Sequence, residues 1–307
     1  MDVDHEISKL KITGDCISKD FSQIQKKTEY LAEYTEALYK KGAISKNEFI
    51  EESEFGYIYK SADDGGSAIF ISSLAPFSIE LKNVINITHP LDSVFRDVAD
   101  SLQSLVKQLR YDERHSLIRV YPYVDVQAQY APDFDIRMYS FYFCADDLHN
   151  PEKNIVLISN PYVDPSGRGW MVSSVAPVYH NRVFQGVIGL DITVDAIKMK
   201  YVKKNPSDVM ILDSNGICIA IDDAKSGVFN IPVKKAHKYM QSANIEDYSN
   251  DEINLLKSKN KKIRTAFESL IKEKMKSVEL TIGDEEYCLF SYMIPDVNWF
   301  IIKYKKI

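Results

Sequence analysis

Residues 160–193 read NPYVDPSGRGWMVSSVAPVYHNRVFQGVIGLDIT and predict two β-strands joined by a short polar turn. The runs Trp170 to Val178 and Val183 to Ile192 are rich in β-branched and aromatic residues, and Pro, Gly or Asn bounds each of them. This pattern is typical of an antiparallel hairpin. An acid, Asp191, lies between Leu190 and Ile192 in a run that is otherwise apolar enough to be buried. A buried carboxylate is costly unless a cation or hydrogen-bond donor meets it, so we expect a ligand to supply that partner.

The same stretch resembles the core of the double Cache family, the extracytoplasmic ligand-binding domains of histidine kinases, chemoreceptors and cyclic-dinucleotide enzymes. The resemblance rests on the Tyr-x-Asp-Pro turn at Tyr162, the strand led by Trp170, its Pro-Val-Tyr end and the closing Gly-Val-Ile-Gly-Leu-Asp-Ile-Thr. It implies an α+β fold in which a long N-terminal helix precedes two PAS-like modules. Each module is an antiparallel sheet flanked by helices.

Length and composition agree with two domains and exclude several functions. The 307 residues exceed the size at which one core usually keeps growing, and the net charge of −6 argues against a nucleic-acid partner. The four cysteines form no Cys-x-x-Cys pair, the six histidines form no zinc-binding pair, and no phosphate-binding or nucleophile motif is present. We therefore expect no enzyme activity and no cofactor. No window of about 18 apolar residues predicts a membrane span.

The predicted organisation has three parts. Residues 1–54 form a long helix and a short second helix, the latter opened by a capping box at Ser45 and Glu48. Residues 55–205 form the membrane-distal, ligand-binding module, with an amphipathic helix predicted from Pro90 through Leu109 and a short helix capped by Thr193. Residues 206–307 form the membrane-proximal module, with a strand pair around the Asn215-Gly216 turn and helices near 233–241 and 251–275. Its ending weakly repeats the Trp170 hairpin.

A heptad stripe runs along the first helix. It consists of apolar or small residues in alternating steps of four and three, namely Val3, Ile7, Leu10, Gly14, Ile17, Phe21, Ile24, Thr28, Leu31, Thr35 and Leu38. Two interpretations remain open: a helix laid along its own domain, or a coiled-coil contact with a second copy. Because Gly14, Thr28 and Thr35 dilute the stripe, we expect at most a weak homodimer through this helix.

The family resemblance also implies the ligand site. Members that bind amino acids hold the ammonium with two aspartates and aromatic rings, which match Asp164, Asp191 and Tyr162 here. Phe141-Tyr142 stands where Trp-Tyr is usual, and Tyr139 stands where an Arg holds the carboxylate; the nearest Arg is Arg137. Since Tyr cannot form the bidentate guanidinium fork, we expect an amine-bearing ligand rather than an ordinary α-amino acid. Each of these residues has an alternative interpretation as core or turn.

We therefore interpret the chain as an extracytoplasmic (periplasmic or extracellular) small-molecule sensor domain of a transmembrane receptor. The expected receptor is a two-component histidine kinase, attached to the membrane only through flanking helices outside this chain. The alternatives are the sensor of a chemoreceptor or diguanylate cyclase, or a ligand-free dimerisation module.

Overall fold

The computed structural model describes residues 2–42, 49–75, 77–102, 104–203, 208–232 and 250–307. The predicted capping box at Ser45 and Glu48, the predicted helix at 233–241 and the predicted boundary at Asn205-Pro206 lie outside these residues. In the described residues, helices and strands make up an α+β fold, as expected. The helices are α1 (Val3–Lys41), α2 (Ile79–Thr88), α3 (Leu91–Ser101), α4 (Val126–Gln129), α5 (Ser140–Phe143), α6 (Val194–Ile197), α7 (Asp223–Ser226) and α8 (Lys261–Ile271).

Two antiparallel sheets carry the fold. The first contains β1 (Ile50–Glu52), β2 (Ile58–Lys60), β3 (Ala68–Ile71), β4 (Val106–Glu113), β5 (Leu117–Tyr121), β6 (Val156–Val163), β7 (Trp170–His180) and β8 (Val183–Thr193). The second contains β9 (Val209–Asp213), β10 (Cys218–Ile221), β11 (Ser277–Ile282), β12 (Glu285–Ile294) and β13 (Trp299–Lys306). The strand order is β1-β2-β3-β5-β4-β8-β7-β6 in the first sheet and β10-β9-β13-β12-β11 in the second. Along the chain, the strands of the first sheet end at Thr193 and those of the second begin at Val209. The division of the chain at residue 205 stays a prediction.

The hairpin of residues 160–193 is confirmed as β7 and β8, which pair from Met171 with Thr193 to His180 with Val183. Asn181 and Arg182 form its turn with positive φ. At its end, the hydroxyl of Thr193 caps α6 by accepting a hydrogen bond from the Ala196 amide at 3.1 Å. The expected strands around the Asn215-Gly216 turn and at the end of the chain are also present.

Helix α1 lies along its own chain and contacts both sheets. Its first turn is capped by Asp2, and the heptad stripe from Leu10 to Leu38 is buried. Phe21 packs edge to face on Trp299 of β13 with ring centroids 4.7 Å apart, and Thr28 donates to Ser174 of β7 at 2.8 Å. The stripe is therefore occupied within the chain. A weak homodimer stays a prediction, but it has to use the opposite face of α1, where Ile12 is exposed.

Gly14 in the stripe has a packing role. A Cβ there would lie 2.7 Å from Cε1 of Tyr292 in β12, so the glycine makes room for a tyrosine ring of the second sheet. The interpretation of Gly14 as a weak point in a seam between two copies is wrong. The residue is small because the helix lies close against its own sheet.

Several predicted elements differ from the structure. The helix predicted from Pro90 through Leu109 ends at Ser101, and residues 106–113 form β4, a central strand of the first sheet. Residues 50–52, placed in a helical segment, form β1. The helix predicted over 251–275 consists of two short 3-10 turns followed by α8. When the apolar residues of a helix and of the following strand happen to continue one helical spacing, the alternation of the strand is easily missed.

Candidate ligand-binding site

The Asp191 carboxylate is the centre of a buried polar cluster on the first sheet. Arg110 donates to its two oxygens from Nε at 3.1 and 3.3 Å, and Gln108 donates from Nε2 at 2.9 Å. The hydroxyls of Ser173 and Tyr162 contact Oδ1 at 2.6 and 3.3 Å. Asp191 has no exposed surface. Its charge is therefore compensated inside the chain by one cation and three neutral donors.

Strand pairing brings these side chains together. β4 pairs with β8 so that Gln108 lies opposite Asp191 and Arg110 opposite Gly189, while β7 places Ser173 opposite Asp191. The guanidinium of Arg110 occupies the space beside Gly189 where a side chain would otherwise lie. A Cβ on Gly189 would be only 2.7 Å from Cζ of Arg110. Alternation along β4 puts Gln108 and Arg110 on one face of the sheet.

Arg110 lies between two acids and beneath an aromatic ring. Besides Asp191, its Nη1 contacts the carboxylate of Asp112, and its guanidinium lies 4.5 Å from the ring centroid of Phe141. Asp112 is fully buried, and among the described residues its carboxylate oxygens have no hydrogen-bond donor besides Arg110. Burial lowers the pKa of Arg110, but the charge of Asp191, its hydrogen bond and the nearby Tyr162 and Cys144 together outweigh burial, and the net shift is upward. Arg110 is therefore a permanent buried cation.

Asp164 is the second acid of the cluster and also a turn residue. Its carboxylate accepts hydrogen bonds from the Ser166 and Arg168 amides, each at 3.0 Å, as the turn interpretation predicted. Gln108 Nε2 lies between it and Asp191, 3.5 Å from Asp164 Oδ1. Burial raises the pKa of Asp164 and the charge of Asp191 adds to this, against the hydrogen bonds from Ser166 and Arg168. Both predicted acids are thus in one cluster.

Three of the four predicted aromatic residues stack on one another, and Tyr162 joins the stack to Asp191. Phe141 lies between Tyr139 and Tyr162, with ring centroids 5.3 and 4.9 Å apart. The stack continues from Tyr139 to Phe134 at 4.9 Å and from Phe134 to Tyr130 at 4.8 Å. Burial, then the charge of Asp191, raises the pKa of Tyr162 well above its ordinary value, so its hydroxyl stays protonated as a donor.

Two predicted residues lie apart from the cluster. The ring of Tyr142 packs against Phe184 at 5.8 Å. Arg137 forms a bidentate pair with Asp135, at 2.7 Å for each hydrogen bond, and its side chain is 43% exposed. In the part of the chain that the structure describes, neither makes a hydrogen bond to Asp191 or Asp164. The ligand-binding role given to them has no support from this geometry.

The expectation that only a ligand compensates Asp191 is wrong, because Arg110 does so. Sequence reasoning missed Arg110 and Gln108 when it extended the Pro90 helix through Leu109. The signal was available: Gln108, Arg110 and Asp112 alternate with the apolar Leu109 and Tyr111, which is the period of a half-buried strand.

Within the described residues, no helix is long and apolar enough to cross a membrane. Over the same ranges, no group of three His, Cys, Asp or Glu side chains is placed to hold a metal ion.

The long helix and the two antiparallel sheets are the fold of tandem PAS-like sensor domains of the double Cache type, as the resemblance implied. Among solved structures, the chain is similar to the ligand-binding domain of the Pseudomonas fluorescens chemoreceptor CtaA in complex with L-isoleucine. The TM-score is 0.56 and the identity 12%, over 99% of this chain and 92% of the other. It is also similar to the sensory domain of the Campylobacter jejuni chemoreceptor Tlp3 with isoleucine bound, with a TM-score of 0.50 and 13% identity over 97% and 93%.

At this identity the likeness shows the fold alone. No family model matches the chain, and no curated protein matches it.

Proposed function

We propose that the chain is the extracytoplasmic sensor domain of a transmembrane signalling receptor and binds a small, amine-bearing molecule at Asp191. The observation that carries the proposal is the buried cluster around that carboxylate. Buried charge with convergent polar groups beneath aromatic walls is characteristic of small-molecule sites. The two similar solved domains are described with isoleucine bound, which agrees with a ligand of this size.

The charge of the cluster supports a cationic group on the ligand. The cluster contains three buried carboxylates, Asp112, Asp164 and Asp191, and one buried guanidinium, Arg110. Even with Asp164 protonated, one negative charge remains without a cation. A ligand ammonium neutralises it, and the rings of Phe141 and Tyr162 offer cation–π contacts beside it. We therefore keep Asp191, Asp164, Tyr162, Phe141 and Tyr139 as proposed contacts and add Gln108.

The membrane-distal module is the proposed location because the proximal sheet has no comparable cluster in its described residues. Asp213 at the end of β9 is buried, but its carboxylate accepts from the Asn215 and Ile217 amides at 2.9 and 2.8 Å and holds a turn. Lys303, on the strand that repeats β8, pairs with Glu6 of α1 at 2.6 Å.

The parent receptor is proposed to be either a chemoreceptor or a histidine kinase. Both similar domains belong to chemoreceptors, so a chemoreceptor parent fits at least as well as the predicted histidine kinase. In either receptor, ligand binding would favour one of two arrangements of α1, which contacts both sheets.

A thermal-shift screen tests the ligand. Matched triplets of an L-amino acid, the corresponding amine and the corresponding carboxylic acid separate the contribution of each group. We expect amines and amino acids to stabilise the protein, by about 2.7 kcal/mol at 100 times the dissociation constant, and carboxylic acids without an amine to have no effect. Asp191→Asn should abolish the shift, and Asp213→Asn, which changes a buried acid of the other sheet, should preserve it. If no compound shifts the unfolding temperature, the alternative of a ligand-free interaction module remains and the proposed ligand site is refuted.

The compartment is tested by labelling at Cys16, an exposed free thiol on α1. A membrane-impermeant maleimide should label the receptor in intact cells, and Cys16→Ser should remove that label. Labelling that requires cell lysis would contradict an extracytoplasmic domain.

A further inference from the structure

Arg110 occupies the position beside Asp191 that the proposed function gives to the ammonium of the ligand. Its Nε lies 3.1 and 3.3 Å from the two Asp191 oxygens, and it packs against Phe141, one of the rings proposed to contact the cation. Only about 3% of Arg110 is exposed. A ligand amine therefore meets a site already filled by a cation of the chain.

A second acid is available to this guanidinium. Asp112 lies two residues along β4 on the same face, fully buried, and contacts Nη1 of Arg110. Among the described residues, Nη1 of Arg110 is the charged partner of this carboxylate, and its oxygens have no other hydrogen-bond donor there. One guanidinium therefore serves two buried carboxylates, and Asp112 can hold it when its contact with Asp191 is lost.

We infer that Arg110 is a built-in competitor for the cation site: an amine-bearing ligand displaces it from Asp191, and Arg110 then keeps Asp112 as its carboxylate partner. The inference rests on the proposed function and adds the residue that limits affinity and selects the ligand. In the ligand-free arrangement the guanidinium is shared between two acids. In the bound arrangement each acid has its own cation, so the buried charges of Asp112, Arg110, Asp191 and the ligand amine sum to zero.

The competitor also accounts for selectivity. A neutral or anionic molecule gains nothing at Asp191 and leaves Arg110 in place, whereas a primary ammonium offers three donors to the acceptors that Arg110 vacates. Phe141 and Tyr162 close over either cation, because a ring face accepts both a guanidinium and an ammonium.

The test removes the competitor while preserving the charge of the site. The double variant Arg110→Ala/Asp112→Asn loses one positive and one negative charge, so Asp191 remains as the acid that needs a cation. The probe is ethylammonium chloride, titrated calorimetrically at constant ionic strength. We expect the double variant to bind it with a Kd lower than that of the wild type by about tenfold or more, because no guanidinium has to be displaced. n-Propanol, an uncharged molecule of similar size, should bind neither protein.

The matched control is Arg119→Ala/Asp92→Asn, which removes another fully buried arginine and the carboxylate 3.0 Å from it in the same module. This variant should bind ethylammonium like the wild type. Equal affinity of the wild type and the Arg110 double variant would overturn the competitor and leave the proposed function standing. Equal gains in both double variants, or binding of n-propanol, would also overturn it, because the gain would then reflect a cavity. Absence of binding to every variant and to the wild type would refute both the inference and the amine site on which it rests.

Discussion

Gly189→Ala is expected to destabilise the protein by about 1–3 kcal/mol, because the new methyl group collides with Arg110. The Cβ would lie 2.7 Å from Cζ and Nη2 and 2.9 Å from Nε, whereas carbon atoms in contact prefer about 3.5–4.0 Å. The guanidinium has to move by roughly 1 Å. Its Nε bonds to Asp191, already 3.1 and 3.3 Å long, would then exceed hydrogen-bonding distance. Charge-assisted bonds contribute about 1.5–3 kcal/mol, so we expect the upper part of the range.

The assay is urea unfolding followed by tryptophan fluorescence in a Trp299→Phe background, where Trp170 at the start of β7 reports on the first sheet. The matched control is Gly227→Ala. No atom lies within 4 Å of the added Cβ there, and φ is −61°, which alanine adopts readily. The control should be neutral or up to about 1 kcal/mol more stable. A Gly189→Ala variant as stable as this control would refute the conclusion that Arg110 is held against β8.

Three further predictions concern packing and pH. Gly14→Leu, which would improve a coiled-coil seam, should instead destabilise the protein by about 1–3 kcal/mol in the same assay, because Tyr292 occupies the space. Because the pKa of Asp164 is raised in the folded protein, its protonation stabilises the fold below about pH 4. This contribution to the free energy of unfolding is lost as pH rises through the folded-state pKa. Asp164→Asn should remove that slope from the pH dependence of unfolding. A hydrogen bond that His115 donates from Nδ1 to the Glu113 carboxylate raises the pKa of His115, so its contribution to stability is present below about pH 6.5 and is lost at higher pH. His115→Gln should flatten the profile there, and an unchanged profile would contradict the pairing.

The sequence predicted those elements whose own residues specify them. The Trp170 hairpin, the Asn215-Gly216 turn and the Thr193 cap depend on alternation, turn chemistry and a local hydrogen bond, and each is present in the structure. Asp191 was found for the same reason, because a carboxylate in an apolar run stands out locally, whereas Asp164 was expected from the family resemblance.

The partners of those acids could not be found in this way. Arg110 reaches Asp191 only because β4 pairs with β8, a contact between residues 81 positions apart. The apolar residues of α3 and β4 also fall at helical spacing across the break at Leu102. The predicted helix was therefore extended into the residues that form β4. The stripe on α1 likewise has the same spacing whether it packs on its own sheets or on a second copy. The contacts of the stripe with Trp299, Ser174 and Tyr292 of the two sheets distinguish them.

Nitrogen-15 NMR of the Arg110 side chain tests the site most directly. In the ligand-free protein, the buried Nε–H that donates to Asp191 should give a slowly exchanging resonance, which Arg110→Lys identifies by its loss. Titration with the tightest amine from the thermal-shift screen should shift this resonance in proportion to occupancy, because the amine replaces the guanidinium at Asp191. A ligand that saturates the protein while the Arg110 resonance stays unchanged would contradict a binding site at Asp191.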